Sequence, residues 1–140
     1  MKIITHSEKE TAQTAADFAA NLKPGDIILL YGTLGMGKSV FARGLIRALT
    51  NNPHLEVPSP TFTLLQTYDS PHGPIHHYDL YRIEDPEEIL QLGWEDAITE
   101  GITIVEWPQR LGPYKPCNTL DITLSNVEND PHARSITINP

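Results

Sequence analysis

Apolar residues change their spacing several times along this chain, and each change predicts a different element. Ala15, Phe18, Ala19 and Leu22 recur at the i, i+3, i+4, i+7 spacing of one helix face. Ser7-Glu8-Lys9-Glu10 ahead of them is a capping-box pattern, a Ser N-cap with Glu three residues on, so a helix is predicted to about Leu22. Met1-Lys2-Ile3-Ile4-Thr5-His6 leads straight into this polar helix pattern. Lys23-Pro24-Gly25-Asp26 ends it. Ile27-Ile28-Leu29-Leu30 is a short continuous apolar run, the mark of a strand buried on both faces. A glycine-rich segment follows at once. Then Phe41, Leu45 and Leu49 repeat at i+4 on a helix that ends near Asn51-Asn52-Pro53.

From Phe62 the period drops to two. Residues 61–68 and 75–81, separated by Asp69-Ser70-Pro71-His72-Gly73-Pro74, predict an antiparallel hairpin. Alternation puts His77, Asp79 and Tyr81 on one face of its second arm, with His76, Tyr78 and Leu80 on the other. Asp85-Pro86-Glu87-Glu88 opens another helix, with Asp85 as N-cap and Pro86 in the first turn. Ile102-Thr103-Ile104-Val105 is a second short buried strand, closed by Glu106-Trp107-Pro108. Leu120, Ile122 and Leu124, then Ile136 and Ile138, alternate with polar residues, as half-buried antiparallel strands towards a sheet edge do.

A length of 140 residues fits one domain, residues 1–140, with a sizeable core. Hydrophobic content of 39% and charged content of 20% are those of an ordinary soluble globular protein. A net charge of −8, with no basic run or stripe, argues against a chain that grips nucleic acid by itself. The single Cys117 leaves no internal disulfide and no multi-cysteine zinc site, which fits a reducing, cytoplasmic setting. No stretch has the length of a membrane span or the apolar core of a signal peptide.

The sharpest chemical signal is Gly32-Thr33-Leu34-Gly35-Met36-Gly37-Lys38-Ser39, the G-x-x-x-x-G-K-[ST] pattern of a P-loop. Glycines let the backbone turn tightly enough for successive N–H groups to face phosphate oxygens, and the helix that follows aims its positive end at the same point. Lys38 is then expected to reach the β- and γ-phosphates of ATP and Ser39 to bind Mg²⁺. Such a site needs an acid at the end of a neighbouring strand, and Glu106 has that placement. Asp79 is the other candidate. On a half-buried strand it wants Mg²⁺, a water or Arg82 as partner, and a structural ion pair explains it equally well. His76 and His77 face opposite ways, so they do not chelate one metal as a pair. Trp94 reads most simply as core packing. For Trp107 core packing also outweighs a place under the site or at a partner. The acidic run at residues 84–88 reads as a solvated helix start.

Together these segments resemble the TsaE (YjeE) family of small bacterial P-loop ATPases. Four blocks carry the likeness: the loop at residues 32–39, Ser59-Pro60-Thr61-Phe62-Thr63-Leu64, His77-Tyr78-Asp79-Leu80-Tyr81-Arg82 and Val105-Glu106-Trp107-Pro108. Leu92-Gly93 and Thr11 fit as well. The resemblance implies a three-layer α/β, P-loop NTPase-like fold with a mixed sheet and an antiparallel hairpin. It implies a part in making the threonylcarbamoyladenosine of tRNA, as an ATPase that docks on a TsaD–TsaB assembly and meets tRNA only through it. By matching position, Gly32, Leu34, Gly35, Met36, Gly37 and Lys38 would hold phosphates, and Ser39 and Glu106 Mg²⁺. Thr61 would sense the γ-phosphate from a switch-like segment. Asp79 would place the attacking water or support the metal, and Thr11 would lie near the base. Thr33 and Met36 depart from the acid and the Ala usual in the family. Arg134 is a further candidate to approach the nucleotide.

Two other functions compete on the sequence. A small-molecule kinase normally needs an acceptor pocket and a lid with arginines, and Arg43, Arg47, Arg82, Arg110 and Arg134 are scattered with no lid insertion evident. A GTP-dependent switch would carry an N-K-x-D-type guanine-reading motif, which is absent.

Overall fold

The computed structural model describes residues 1–33 and 35–139. Its strands are β1 (Lys2–Thr5), β2 (Ile27–Tyr31), β3 (Leu65–Tyr68), β4 (Ile75–Asp79), β5 (Ile102–Glu106), β6 (Leu120–Val127) and β7 (Asp130–Asn139). They form one seven-stranded sheet in the order β1-β7-β6-β2-β5-β4-β3. The central four, β4, β5, β2 and β6, run parallel. The hairpin β3–β4 and the pairs β6–β7 and β7–β1 are antiparallel, so the sheet is mixed, as expected.

Helices α1 (Glu8–Ala19) and α2 (Lys38–Leu49) cover one face. Ile28 and Leu30 of β2, Ile102 and Ile104 of β5, Ile122 and Leu124 of β6 and Ile136 and Ile138 of β7 pack with Ala15, Phe41, Leu45 and Leu49 there. The other face of the central strands carries Ile27, Leu29, Tyr78 and Val105, under Ile89, Trp94 and Leu111. Residues of β2 thus alternate between two cores, which is why that strand is apolar without a break. On the far side of β6, Thr123 and Ser125 are exposed, and among the described residues no helix covers them. One half of the sheet is therefore sandwiched and the other half is covered once.

Local chemistry explains the helix ends. Ser7 Oγ accepts from the Glu10 N–H at 3.1 Å, while Glu10 reaches back one residue further than expected, to the His6 N–H at 3.0 Å. Asp85 and Glu88 complete the second capping box, but the segment Pro86–Leu92 is a 3₁₀ helix, not an α-helix. Gly93, in the left-handed region at φ 72°, breaks it from the short α3 (Trp94–Ala97). Trp94 is core, as expected, edge-on to Tyr78 at 5.3 Å between centroids.

Three expectations need correction. Residues 2–5 are not a lead-in to α1 but an edge strand paired with β7. Only four residues long, with one of them fully buried, this strand offers little alternation to detect. Strands β7 and β6 lie second and third from that edge and pair antiparallel, as expected, but β6 also pairs parallel with β2 on its inner side. The first hairpin arm is four residues, not eight. Leu64 takes φ 70° and its N–H bonds the Pro60 carbonyl, so 61–63 form a turn that returns the chain to β4. Arm two stops at Asp79, because the Tyr81 N–H bonds the Asp79 side chain and turns away.

Candidate nucleotide site

A cavity of about 700 Å³ lies at the carboxyl ends of β4 and β5, beside the amino end of α2. Open parallel sheets place ligand crevices at this end of their strands. The glycine-rich loop leaves β2 and enters α2 through Gly37, whose φ of 93° an L side chain would strain. Gly32 is held more tightly. A Cβ there would lie 2.7 Å from the Leu124 carbonyl oxygen, so the β2 exit and β6 leave no room for a side chain. Unlike α1 and the Pro86–Leu92 helix, α2 has no side-chain cap. An uncapped helix start with its first N–H groups turned into a cavity is a seat for an anion.

Six separate segments deliver polar side chains into this space. From the first turn of α2, Lys38 is buried, bonds the Gly32 carbonyl and places Nζ 3.4 Å from the centroid of the Trp107 ring. Burial pushes the Lys38 ammonium below its ordinary pKa, and the nearby Glu106 and Asp79 charges oppose that shift. Ser39 Oγ donates to Glu106 Oε1 at 3.1 Å. Glu106 ends β5 only 2% exposed, and its other oxygen, Oε2, lies 2.7 Å from His77 Nε2 on β4. Asp79 ends β4. It accepts from Thr61 Oγ1 at 2.9 Å and from the Tyr81 N–H at 3.0 Å. Arg82, one of the partners considered for Asp79, instead stacks on Phe62 at 4.8 Å. On the opposite wall stand His6, Ser7, Glu8 and Thr11 at the start of α1, with Pro131, His132 and Arg134.

Oxygen donors from a hydroxyl and a carboxylate, close together beside an ammonium and an uncapped helix start, fit a hard cation paired with phosphate. A profile of the family described as "Threonylcarbamoyl adenosine biosynthesis protein TsaE" matches residues 5–136. The chain belongs to the TsaE family. The TsaE of Rickettsia bellii is 42% identical over 134 residues, which cover 96% of this chain and 92% of the relative. For the TsaE of Aquifex aeolicus the identity is 38% over 137 residues, covering 98% and 94%. Both relatives are described as tRNA threonylcarbamoyladenosine biosynthesis proteins. A crystal structure of Bacillus subtilis YdiB matches with a TM-score of 0.79 at 30% identity, over 99% of this chain and 83% of that one. The mixed sheet and its glycine-rich loop are a P-loop NTPase-like fold, as expected.

Within this TsaE fold, Thr11, Gly35, Gly37, Lys38, Ser39, Thr61, Asp79 and Glu106 line the cavity together. Two loop residues of the sequence reading do not. Gly32 contributes its carbonyl to Lys38, and the Met36 side chain packs on the α1–α2 core. Leu34 lies outside the described residues. Thr11 is nearly covered, and its hydroxyl shares a hydrogen bond of 2.7 Å with Thr5. Trp107 packs at the margin of the second core, as expected, and also serves the site: half-buried at φ 58°, it carries the Lys38 ammonium on its face and lies tilted against Tyr81 at 4.8 Å between centroids. Arg134 sits inside β7 and donates to the Gly35 carbonyl at 3.2 Å. His77 and the wall of His6, Ser7, Glu8 and His132 escaped the sequence reading. For His77 the signal was present, since alternation set it on the face of Asp79. The wall had none, because it joins segments more than a hundred residues apart.

Proposed function

We propose that this chain binds ATP with Mg²⁺ in the cavity at the amino end of α2 and hydrolyses it for threonylcarbamoyladenosine modification of tRNA. The observation that carries this reading is the convergence of Lys38, Ser39, Glu106, Asp79 and Thr61 in one cavity at the uncapped start of α2. Lys38 and the loop N–H groups would take the phosphates, with Lys38 already held at the loop by the Gly32 carbonyl and Trp107. Ser39 and Glu106 would hold Mg²⁺, whose charge offsets that of the β- and γ-oxygens when it is bound. Asp79, anchored by Thr61 and the Tyr81 N–H, has a carboxylate fixed in place to orient a water. Thr61 couples that acid to the 59–64 turn, which gives the turn a way to respond to the γ-phosphate.

The setting proposed is the cytoplasm, and the partner a TsaD–TsaB complex that handles the tRNA. A chain of net charge −8 is poorly suited to holding tRNA unaided. Among the described residues no helix is long and apolar enough to cross a membrane. Reconstituted tRNA modification with TsaD and TsaB tests the reading. Multiple-turnover modification should require this chain and be lost with Lys38→Ala and with Glu106→Ala, while calorimetry detects ATP binding at millimolar Mg²⁺. Absence of ATP binding, or unchanged turnover in both variants, overturns it. GTP binding as tight as ATP would overturn the choice of nucleotide.

A further inference from the structure

The Glu106 carboxylate has two oxygens and two different partners. Oε1 accepts from Ser39, at the position proposed for the cation, and Oε2 is bonded to His77. Strands β4 and β5 are parallel, with His77 opposite Ile104 and Asp79 opposite Glu106. His77 therefore sits one pleat below Asp79 on the same face, behind the cavity and not among its lining residues. Both His77 and Glu106 are 2% exposed, so no water competes freely for the bond between them.

Packing alone does not call for an imidazole here. Two residues earlier on the same face Ile75 fills the core, and an aliphatic side chain at 77 would extend it. The imidazole carries a cost instead, because its Nδ1 is buried without a hydrogen-bond partner. Its one polar contact goes to the acid. A carboxyl group turns easily about its last torsion, so fixing Oε2 also fixes where Oε1 points.

We infer that His77 is a positioning residue of the cation site, holding Glu106 by Oε2 so that Oε1 faces Ser39. Nε2 carries the proton and donates it to the carboxylate. This rests on the nucleotide-site reading above and adds to it a residue that touches neither nucleotide nor cation. Partners behind metal-ligating carboxylates typically matter by about 10- to 100-fold in metal affinity.

The test is calorimetry of ADP binding in EDTA and across a Mg²⁺ titration, for wild type, His77→Leu and His77→Gln. His77→Leu should bind ADP in EDTA as wild type does, yet need about tenfold or more Mg²⁺ for the same enhancement. The Gln amide can donate near the position of Nε2, so His77→Gln should lie closer to wild type than to His77→Leu. A merely structural histidine would lower thermal stability in both variants and leave the Mg²⁺ requirement unmoved, which overturns the inference. If His77→Leu does not fold, His77→Gln and ¹⁵N NMR of the wild-type imidazole decide. A proton on Nε2 supports the inference and a bare Nε2 overturns it. A wild type that binds ADP with no Mg²⁺ dependence also overturns it. Failure of wild type to bind nucleotide at all overturns the proposed function itself.

Discussion

His76 and His77 are neighbours in sequence and opposites in setting. The pleat of β4 sends His77 to the acid behind the cavity and His76 to the other side of the sheet. Both ring nitrogens of His76 are buried and unbonded, and burial lowers its pKa from 6.5, with the Glu100 charge opposing more weakly. The unfolded chain then takes up a proton near pH 6.5 that the folded chain still refuses. Stability from this residue is therefore complete above pH 6.5, falls as pH drops through 6.5 towards the lowered native value, and is constant below it. His76→Val, which suits a strand, removes that slope. Urea unfolding should show the variant gaining on wild type between pH 7.5 and pH 5.5, and equal slopes would refute the cost assigned to His76. At this scale the sequence was legible wherever chemistry demands a residue type at fixed spacing, as at Lys38, Ser39 and Glu106. It was illegible at Trp107, whose place over Lys38 depends on a left-handed backbone turn after β5 that no spacing announces.

Elements were readable in proportion to how many of their own residues carried the pattern. Three apolar residues in four, Ile102, Ile104 and Val105, gave β5 a signal that β1, four residues with one buried, did not have. The switch-like turn was read as strand because its Thr and Phe are good strand formers, yet Leu64 takes a backbone conformation that ends any strand. Gly44 is another residue whose reason appears only in the assembled pair of helices. It lies mid-helix in α2, where Gly is unfavourable by about 1 kcal/mol, and a Cβ there would come within 2.8 Å of the Ala12 carbonyl oxygen and 2.9 Å of Ala15 Cβ. Close approach of α1 and α2 is what the glycine supplies. Parting the helices should cost about 1–3 kcal/mol, against up to about 1 kcal/mol recovered in helix preference. Gly44→Ala is thus expected to lower the unfolding free energy by about 1–2 kcal/mol in urea titration. A variant as stable as wild type would mean that the helix pair separates freely.

On the scale of the whole molecule, the cavity borrows from α1, the glycine loop, α2, β4, β5 and β7, so its walls come from both ends of the chain. A ligand that fills it touches elements on which both cores depend, because β4 and β5 present one face to each. If residues 1–140 form one cooperative domain, nucleotide should raise the stability of the whole chain and not of the site alone. At a free ATP–Mg²⁺ concentration one hundred times Kd the gain is about 2.7 kcal/mol. Trp94→Phe leaves Trp107 as the one indole, at the site end, while far-ultraviolet ellipticity follows the backbone everywhere. Heated with and without ATP–Mg²⁺, this variant should give one midpoint by both probes, moved upward together by the ligand. Adding Lys38→Ala should abolish the movement. A ligand-dependent midpoint in the fluorescence alone would show that the nucleotide end unfolds as a separate unit, and the single-domain reading would fall.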